Sequence, residues 1–118
     1  MNILLADDRV RVCNALRVLL EQQPEWRVVA EVRDAGELLE EVHRLRPDLV
    51  LLDGELPGIQ EGETLPSVRS ACPEARIVAL VDPQPLHKRP FPLQADGYAT
   101  KVNSPEYLLG VIRKCLSQ

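Results

Sequence analysis

Aromatic side chains are scarce in this 118-residue chain: Trp26, Phe91, Tyr98 and Tyr107 are all of them. A core must therefore be built from Leu, Val, Ala and Ile. Cysteine is scarce too. Cys13, Cys72 and Cys115 are odd in number, far apart and not at ligand spacing, which argues against a disulfide framework or a zinc site. They read as reduced thiols of a cytoplasmic protein, with Cys13 and Cys115 at helix-face positions. Positive charge is not in excess: the formal net charge is -4, so this domain carries no electrostatic footprint for nucleic acid. No apolar stretch approaches bilayer length, and acids follow Met1 within six residues, so neither a membrane span nor a signal peptide is expected. A glycine-rich phosphate loop is missing after the first strand, and no Ser or Cys nucleophile sits in an elbow motif.

What the chain does have is centred on Pro47-Asp48-Leu49-Val50-Leu51-Leu52-Asp53-Gly54-Glu55-Leu56-Pro57-Gly58. The run Leu49–Leu52 is continuously apolar, as a parallel strand buried on both faces requires. It delivers Asp53 and then turn residues. In open α/β sheets the ligand site lies beyond the carboxyl ends of strands. A lone strand-end Asp is more often a loop cap, but the chain opens with a second run of the same kind, Asn2-Ile3-Leu4-Leu5-Ala6, ending in Asp7-Asp8. Two such strands bring three carboxylates to one rim, a costly cluster unless a hard cation such as Mg²⁺ sits there.

The rest of the pattern alternates strand and helix. Val12, Leu16, Leu19 and Leu20 predict a helix from about Val10 to Gln22, ended by Pro24. Trp26–Val32 reads as a more polar edge strand. Asp34 is the expected N-cap of a helix with Leu38, Leu39, Val42 and Leu45 on its apolar stripe and His43 on its polar face. A weak helix is expected from about Glu63 to Cys72, with Leu65 and Val68 inward and Pro66 in its first turn. Ile77–Val81 and Gly97–Thr100 read as the fourth and fifth strands. Between them Pro83, Pro85, Pro90 and Pro92 oppose a regular helix. Ser104-Pro105-Glu106 starts a last helix carrying Leu108, Leu109, Val111, Ile112, Cys115 and Leu116. The expectation is one α/β domain spanning residues 1–118: a doubly wound parallel sheet of five strands, with the fourth helix degraded or absent and no output domain in the chain.

Asp7, Asp8, Asp53 and Lys101 are the chemical groups left at successive strand ends. The set suits carboxylate attack on a phosphoryl group, with Asp53 as nucleophile, Asp7 or Asp8 holding Mg²⁺, and Lys101 pairing with the phosphoryl. Together with Leu4-Leu5-Ala6-Asp7-Asp8, Pro47–Asp53 with Pro57, and Ala95-Asp96-Gly97-Tyr98 before Lys101, it makes the chain resemble, over its whole length, a receiver domain of bacterial two-component response regulators. Val28-Val29-Ala30-Glu31 and the Ser104-Pro105-Glu106 helix start resemble the LuxR/NarL-type subgroup, whose members carry a C-terminal helix-turn-helix. The resemblance implies a flavodoxin-like (CheY-like) sheet of order 2-1-3-4-5. It implies that Asp53 accepts a phosphoryl group from a sensor histidine kinase, that Asp7, Asp8, Asp53 and the Glu55 backbone carbonyl hold Mg²⁺, and that Lys101 contacts the phosphoryl group. DNA would be bound through a C-terminal domain that this chain lacks, and a homodimer is possible through the first and last helices.

Several residues depart from that pattern. Val81 stands where receivers carry the Ser or Thr whose hydroxyl follows the phosphoryl oxygen, so the conformational relay to Tyr98 is expected to weaken. The segment between the fourth and fifth strands is proline-rich and about two residues short by the resemblance, and is expected to be mobile or extended. Val102 replaces a frequent proline, and the loop Gln60-Glu61-Gly62 is one residue longer than the usual receiver loop. Arg9 and Glu55 flank the mouth of the site and are expected to pair across it. Val81 and the missing fourth helix support a rival reading, a phosphorylation-independent interaction or dimerisation module. A Mg²⁺-dependent phosphatase would use Glu55 as its second acid, two residues after the nucleophile, but neither a cap nor a substrate pocket is evident.

Overall fold

The structure, a computed structural model, describes residues 1–60, 62–82, 94–101 and 103–117. The described residues form five strands: β1 Asn2–Ala6, β2 Arg27–Val32, β3 Leu49–Asp53, β4 Arg76–Val81 and β5 Gly97–Thr100. All pair in parallel, in the order β2-β1-β3-β4-β5. The described residues also form four helices, α1 Val10–Glu21, α2 Ala35–Leu45, α3 Thr64–Ala71 and α4 Pro105–Leu116. The stretch 83–93, on which the expectations of a degraded fourth helix and an extended segment fall, lies outside the described residues. So do Glu61, Val102 and Gln118.

The central strands alternate their side chains between two buried clusters, which is why they read as unbroken apolar runs. Leu4, Val50, Leu52, Ile77 and Ala79 face α2 and α3, packing with Leu38, Val42, Leu65 and Val68. Ile3, Leu5, Leu49, Leu51 and Val78 face α1 and α4, packing with Cys13, Leu20, Leu109, Ile112 and Cys115. In α1 the fully buried residues are Cys13 and Leu20, whereas Val12, expected inward, sits half-buried on the flank of the helix. β2 is at one edge, as its polar composition predicts.

Helix ends follow local chemistry. Asp34 accepts from the Glu37 backbone N–H at 2.8 Å and Glu37 accepts from the Arg33 N–H at 2.8 Å, a reciprocal cap. Ser104 caps α4 by accepting from the Tyr107 N–H at 3.2 Å, with Pro105 in the first turn. Pro66 falls in the first turn of α3, where its missing N–H leaves no gap in the helix. The Ser104 cap starts α4 shortly after Lys101.

Candidate functional site

The carboxyl ends of β1 and β3 are hydrogen-bonded neighbours, with Ala6 opposite Leu52. The residues that follow, Asp7 and Asp53, are therefore brought together although 46 positions apart in sequence. Both are 3% exposed, and with the exposed Asp8 they offer carboxylate oxygens that all lie within 4.8 Å of one another. Each buried acid closes the same kind of turn. Asp7 Oδ1 accepts from the Arg9 backbone N–H at 2.9 Å, and Asp53 Oδ1 accepts from the Glu55 backbone N–H at 3.0 Å. These turns orient the carboxylates before any ligand arrives.

Two cations offset the acids. Lys101, 16% exposed, places Nζ 2.9 Å from Asp53 Oδ1, 3.3 Å from Asp82 Oδ1 and 4.0 Å from Glu55 Oε2. Burial alone would pull its ammonium down, but the hydrogen bond and charge of Asp53, with those of Asp82, outweigh burial and hold it above the ordinary lysine value. Arg9 straddles Asp7: Nε donates to Oδ1 at 3.0 Å and Nη2 to Oδ2 at 2.9 Å. Its Nη2 is also 3.7 Å from Asp53 Oδ2. The Asp7 hydrogen bonds raise the guanidinium further above its already high value, so Arg9 is a permanent charge.

The expected Arg9–Glu55 pair across the mouth does not form. An arginine two residues after a strand-end Asp reaches that Asp with a planar two-pronged contact, which a more distant, 68% exposed Glu55 cannot match. Glu55 turns to Asp82 and Lys101 instead. The hydrogen bond with Asp82 raises the Glu55 carboxyl above its ordinary value and lowers that of Asp82. Asp82, at the carboxyl end of β4, was missed as a site residue in the sequence. Its signal is the same strand-end placement that marks Asp7 and Asp53, masked by the prolines that follow.

Val81 ends β4 opposite Thr100 and packs with Tyr98 and Ala95 against the α2/α3 core. The half-buried Tyr98 hydroxyl accepts from the Ala95 N–H at 3.0 Å. The valine and the tyrosine of the expected relay are therefore on one face, with no hydroxyl on the valine to join them. His43 is exposed on α2, as expected of a solvated helix face.

A family model for the response regulator receiver domain matches residues 3–113. The chain belongs to that family. Receiver domains are signalling domains rather than classical enzymes, and this one is of the LuxR/NarL type. It is 33% identical to the nitrate/nitrite response regulator protein NarP of Escherichia coli over 113 residues, which cover 94% of this chain and 53% of NarP. The chain thus spans about half the length of the curated relatives it matches. Among solved structures it is similar to a LuxR-family two-component response regulator from Aurantimonas sp. SI85-9A1 (TM-score 0.84, 33% identity, covering 98% of this chain and 84% of that one). It is also similar to RcsB from Salmonella enterica serovar Typhimurium (TM-score 0.79, 27% identity, covering 100% of this chain and 99% of that one), solved bound to promoter rprA in the presence of the phosphomimetic BeF3-. Receiver domains bind Mg²⁺ at an acidic pocket, and Asp7, Asp8 and Asp53 form an acidic cluster in this one.

Proposed function

We propose that this receiver domain accepts a phosphoryl group on Asp53, in a Mg²⁺-dependent reaction with a sensor histidine kinase or a small acyl phosphate, and so controls an output module outside this chain. The observation that carries the reading is the arrangement around Asp53: a buried carboxylate at a strand end, 2.9 Å from a lysine and clustered with two further aspartates. An all-oxygen donor set of this kind suits a hard divalent cation. Asp7, Asp8 and Asp53 would hold it, with the Glu55 backbone carbonyl as a fourth protein ligand. Bound there, the cation would neutralise charge on the transferring oxygens.

Asp53 Oδ1 is engaged by Lys101 and the Glu55 N–H, which leaves Oδ2, facing Arg9, as the nucleophilic oxygen. Its lone pair attacks phosphorus, the bond from phosphorus to the donor's nitrogen or oxygen breaks, and the leaving group departs with that electron pair. Lys101 then pairs with the new acyl phosphate. Val81 supplies no hydroxyl to follow the phosphoryl oxygen, so phosphorylation moves Tyr98 less than a Ser or Thr there would. RcsB, solved on a promoter with a phosphomimetic, and NarP, about twice as long as this chain, support a transcriptional output through a separate DNA-binding domain, with residues 1–118 as the receiver and dimerisation as one way to transmit its state. The phosphorylation-independent module is the weaker reading, because the acids and Lys101 remain. The test is titration of the ¹⁵N-labelled protein with Mg²⁺ and beryllofluoride. Amide shifts around Asp53 and Lys101 are expected in the wild type and absent in Asp53→Ala; no response in either would contradict the reading.

A further inference from the structure

The Arg9 guanidinium lies in the acidic cluster itself. It takes both oxygens of Asp7, at 3.0 and 2.9 Å, and stands 3.7 Å from Asp53 Oδ2. Those are two of the three carboxylates that a divalent cation would need. A guanidinium and a divalent cation cannot both lie between Asp7 and Asp53, since each needs the same lone pairs and each carries positive charge. Arg9 is also held from behind: its backbone N–H donates to Asp7 Oδ1 at 2.9 Å, and its carbonyl accepts from the Cys13 N–H at 3.0 Å as α1 begins. With the backbone fixed in this way, any displacement of Arg9 from the cluster must be a movement of its side chain. It is 41% exposed and borders an open groove of about 290 Å³ that Val12, Leu16, Lys101, Ser104 and Leu108 also line.

We propose that Arg9 is a built-in competitor for the divalent cation, closing the site by bridging Asp7 and Asp53 and swinging into the α1/α4 groove when the metal binds. The inference rests on the phosphoacceptor reading and adds a control to it. In the closed state the guanidinium substitutes for the charge of the metal, so three clustered carboxylates are tolerated without an ion. Metal binding must first break a two-pronged, charge-assisted contact, which weakens the apparent affinity by the stability of that contact. The domain is then ready for phosphoryl transfer only where the free cation concentration is high enough to displace Arg9.

The experiment is calorimetric titration of the wild type, Arg9→Ala, Arg9→Lys and Arg11→Ala with Mg²⁺, beside intact-mass detection of the acetyl phosphate adduct for each. Arg9→Ala is expected to bind Mg²⁺ about tenfold more tightly than the wild type, the size of one freed charge-assisted pair. Arg9→Lys, which keeps the charge and loses the fork, falls between them. Arg11 is exposed on α1, and Arg11→Ala keeps the wild-type affinity. Equal affinities in wild type and Arg9→Ala, or an equal gain in Arg11→Ala, overturn the competitor role while an adduct in the wild type leaves the phosphoacceptor reading standing. No Mg²⁺ binding and no adduct in any variant overturns both.

Discussion

At the scale of single residues, Lys101 compensates three carboxylates with one ammonium: Asp53 at 2.9 Å, Asp82 at 3.3 Å and Glu55 at 4.0 Å. The shortest of these contacts is to the phosphoacceptor, so the positive charge is already aimed at the oxygens that gain charge during transfer. Lys101→Ala is expected to slow adduct formation from acetyl phosphate about 10²-fold, the typical effect of removing one preorganised donor; an unchanged rate would remove Lys101 from the mechanism. The residue scale is also where the sequence was least legible. Asp7, Asp8, Asp53 and Lys101 could be singled out because strand ends are visible in apolar patterning. The partner of Arg9 could not, because spacing does not reveal which way a long, flexible side chain turns. Asp82 went unseen for a related reason: the prolines after it drew the reading toward a broken helix and away from the strand it terminates.

At the scale of elements, β5 and α4 meet at a contact with little slack. A Cβ added at Gly97 would lie 2.6 Å from Cys115 Sγ and 2.9 Å from Val111 Cγ1. Gly97→Ala is therefore expected to destabilise the domain by about 1–3 kcal/mol through overpacking, measured as a lowered urea midpoint; a neutral result would mean that α4 yields freely. Ser104→Ala removes the side-chain cap of α4 and is expected to lose about 1 kcal/mol. The same contact gives a pH dependence. Burial, and then the charge of Asp96, push the Cys115 thiol above its ordinary 9.0. Because the folded value is the higher one, the stability that the neutral thiol contributes is whole below pH 9 and declines as pH rises toward the folded value. The stability gap between wild type and Cys115→Ala should accordingly narrow from pH 7 to pH 10, and a constant gap would contradict it. Elements were the most legible level. Caps at Asp34 and Ser104 and the unbroken runs of β1, β3 and β4 are short-range signals, and each predicted element is found within a residue or two of its expected ends. The exchange of Cys13 for Val12 in the buried stripe of α1 shows the limit: both suit a helix, and only the angle of α1 on the sheet decides which one faces inward.

At the scale of the whole molecule, the strand order β2-β1-β3-β4-β5 places the β1 and β3 ends side by side and makes one acidic rim from distant parts of the chain. The strand-helix alternation made a parallel, doubly wound sheet legible; the order itself was implied only by the resemblance to receiver domains. The same order sends Val81 and Tyr98 to one face and the acids to the rim, separating a site that looks complete from a relay that lacks its hydroxyl. The central claim is that the rim is a working phosphoacceptor, and intact-mass analysis after incubation with Mg²⁺ and acetyl phosphate tests it most directly. The account predicts a mass increase of one phosphoryl group on the wild type, lost in Asp53→Ala and lost when the cation is removed by chelation. No mass increase on the wild type, or an equal increase on Asp53→Ala, would contradict it.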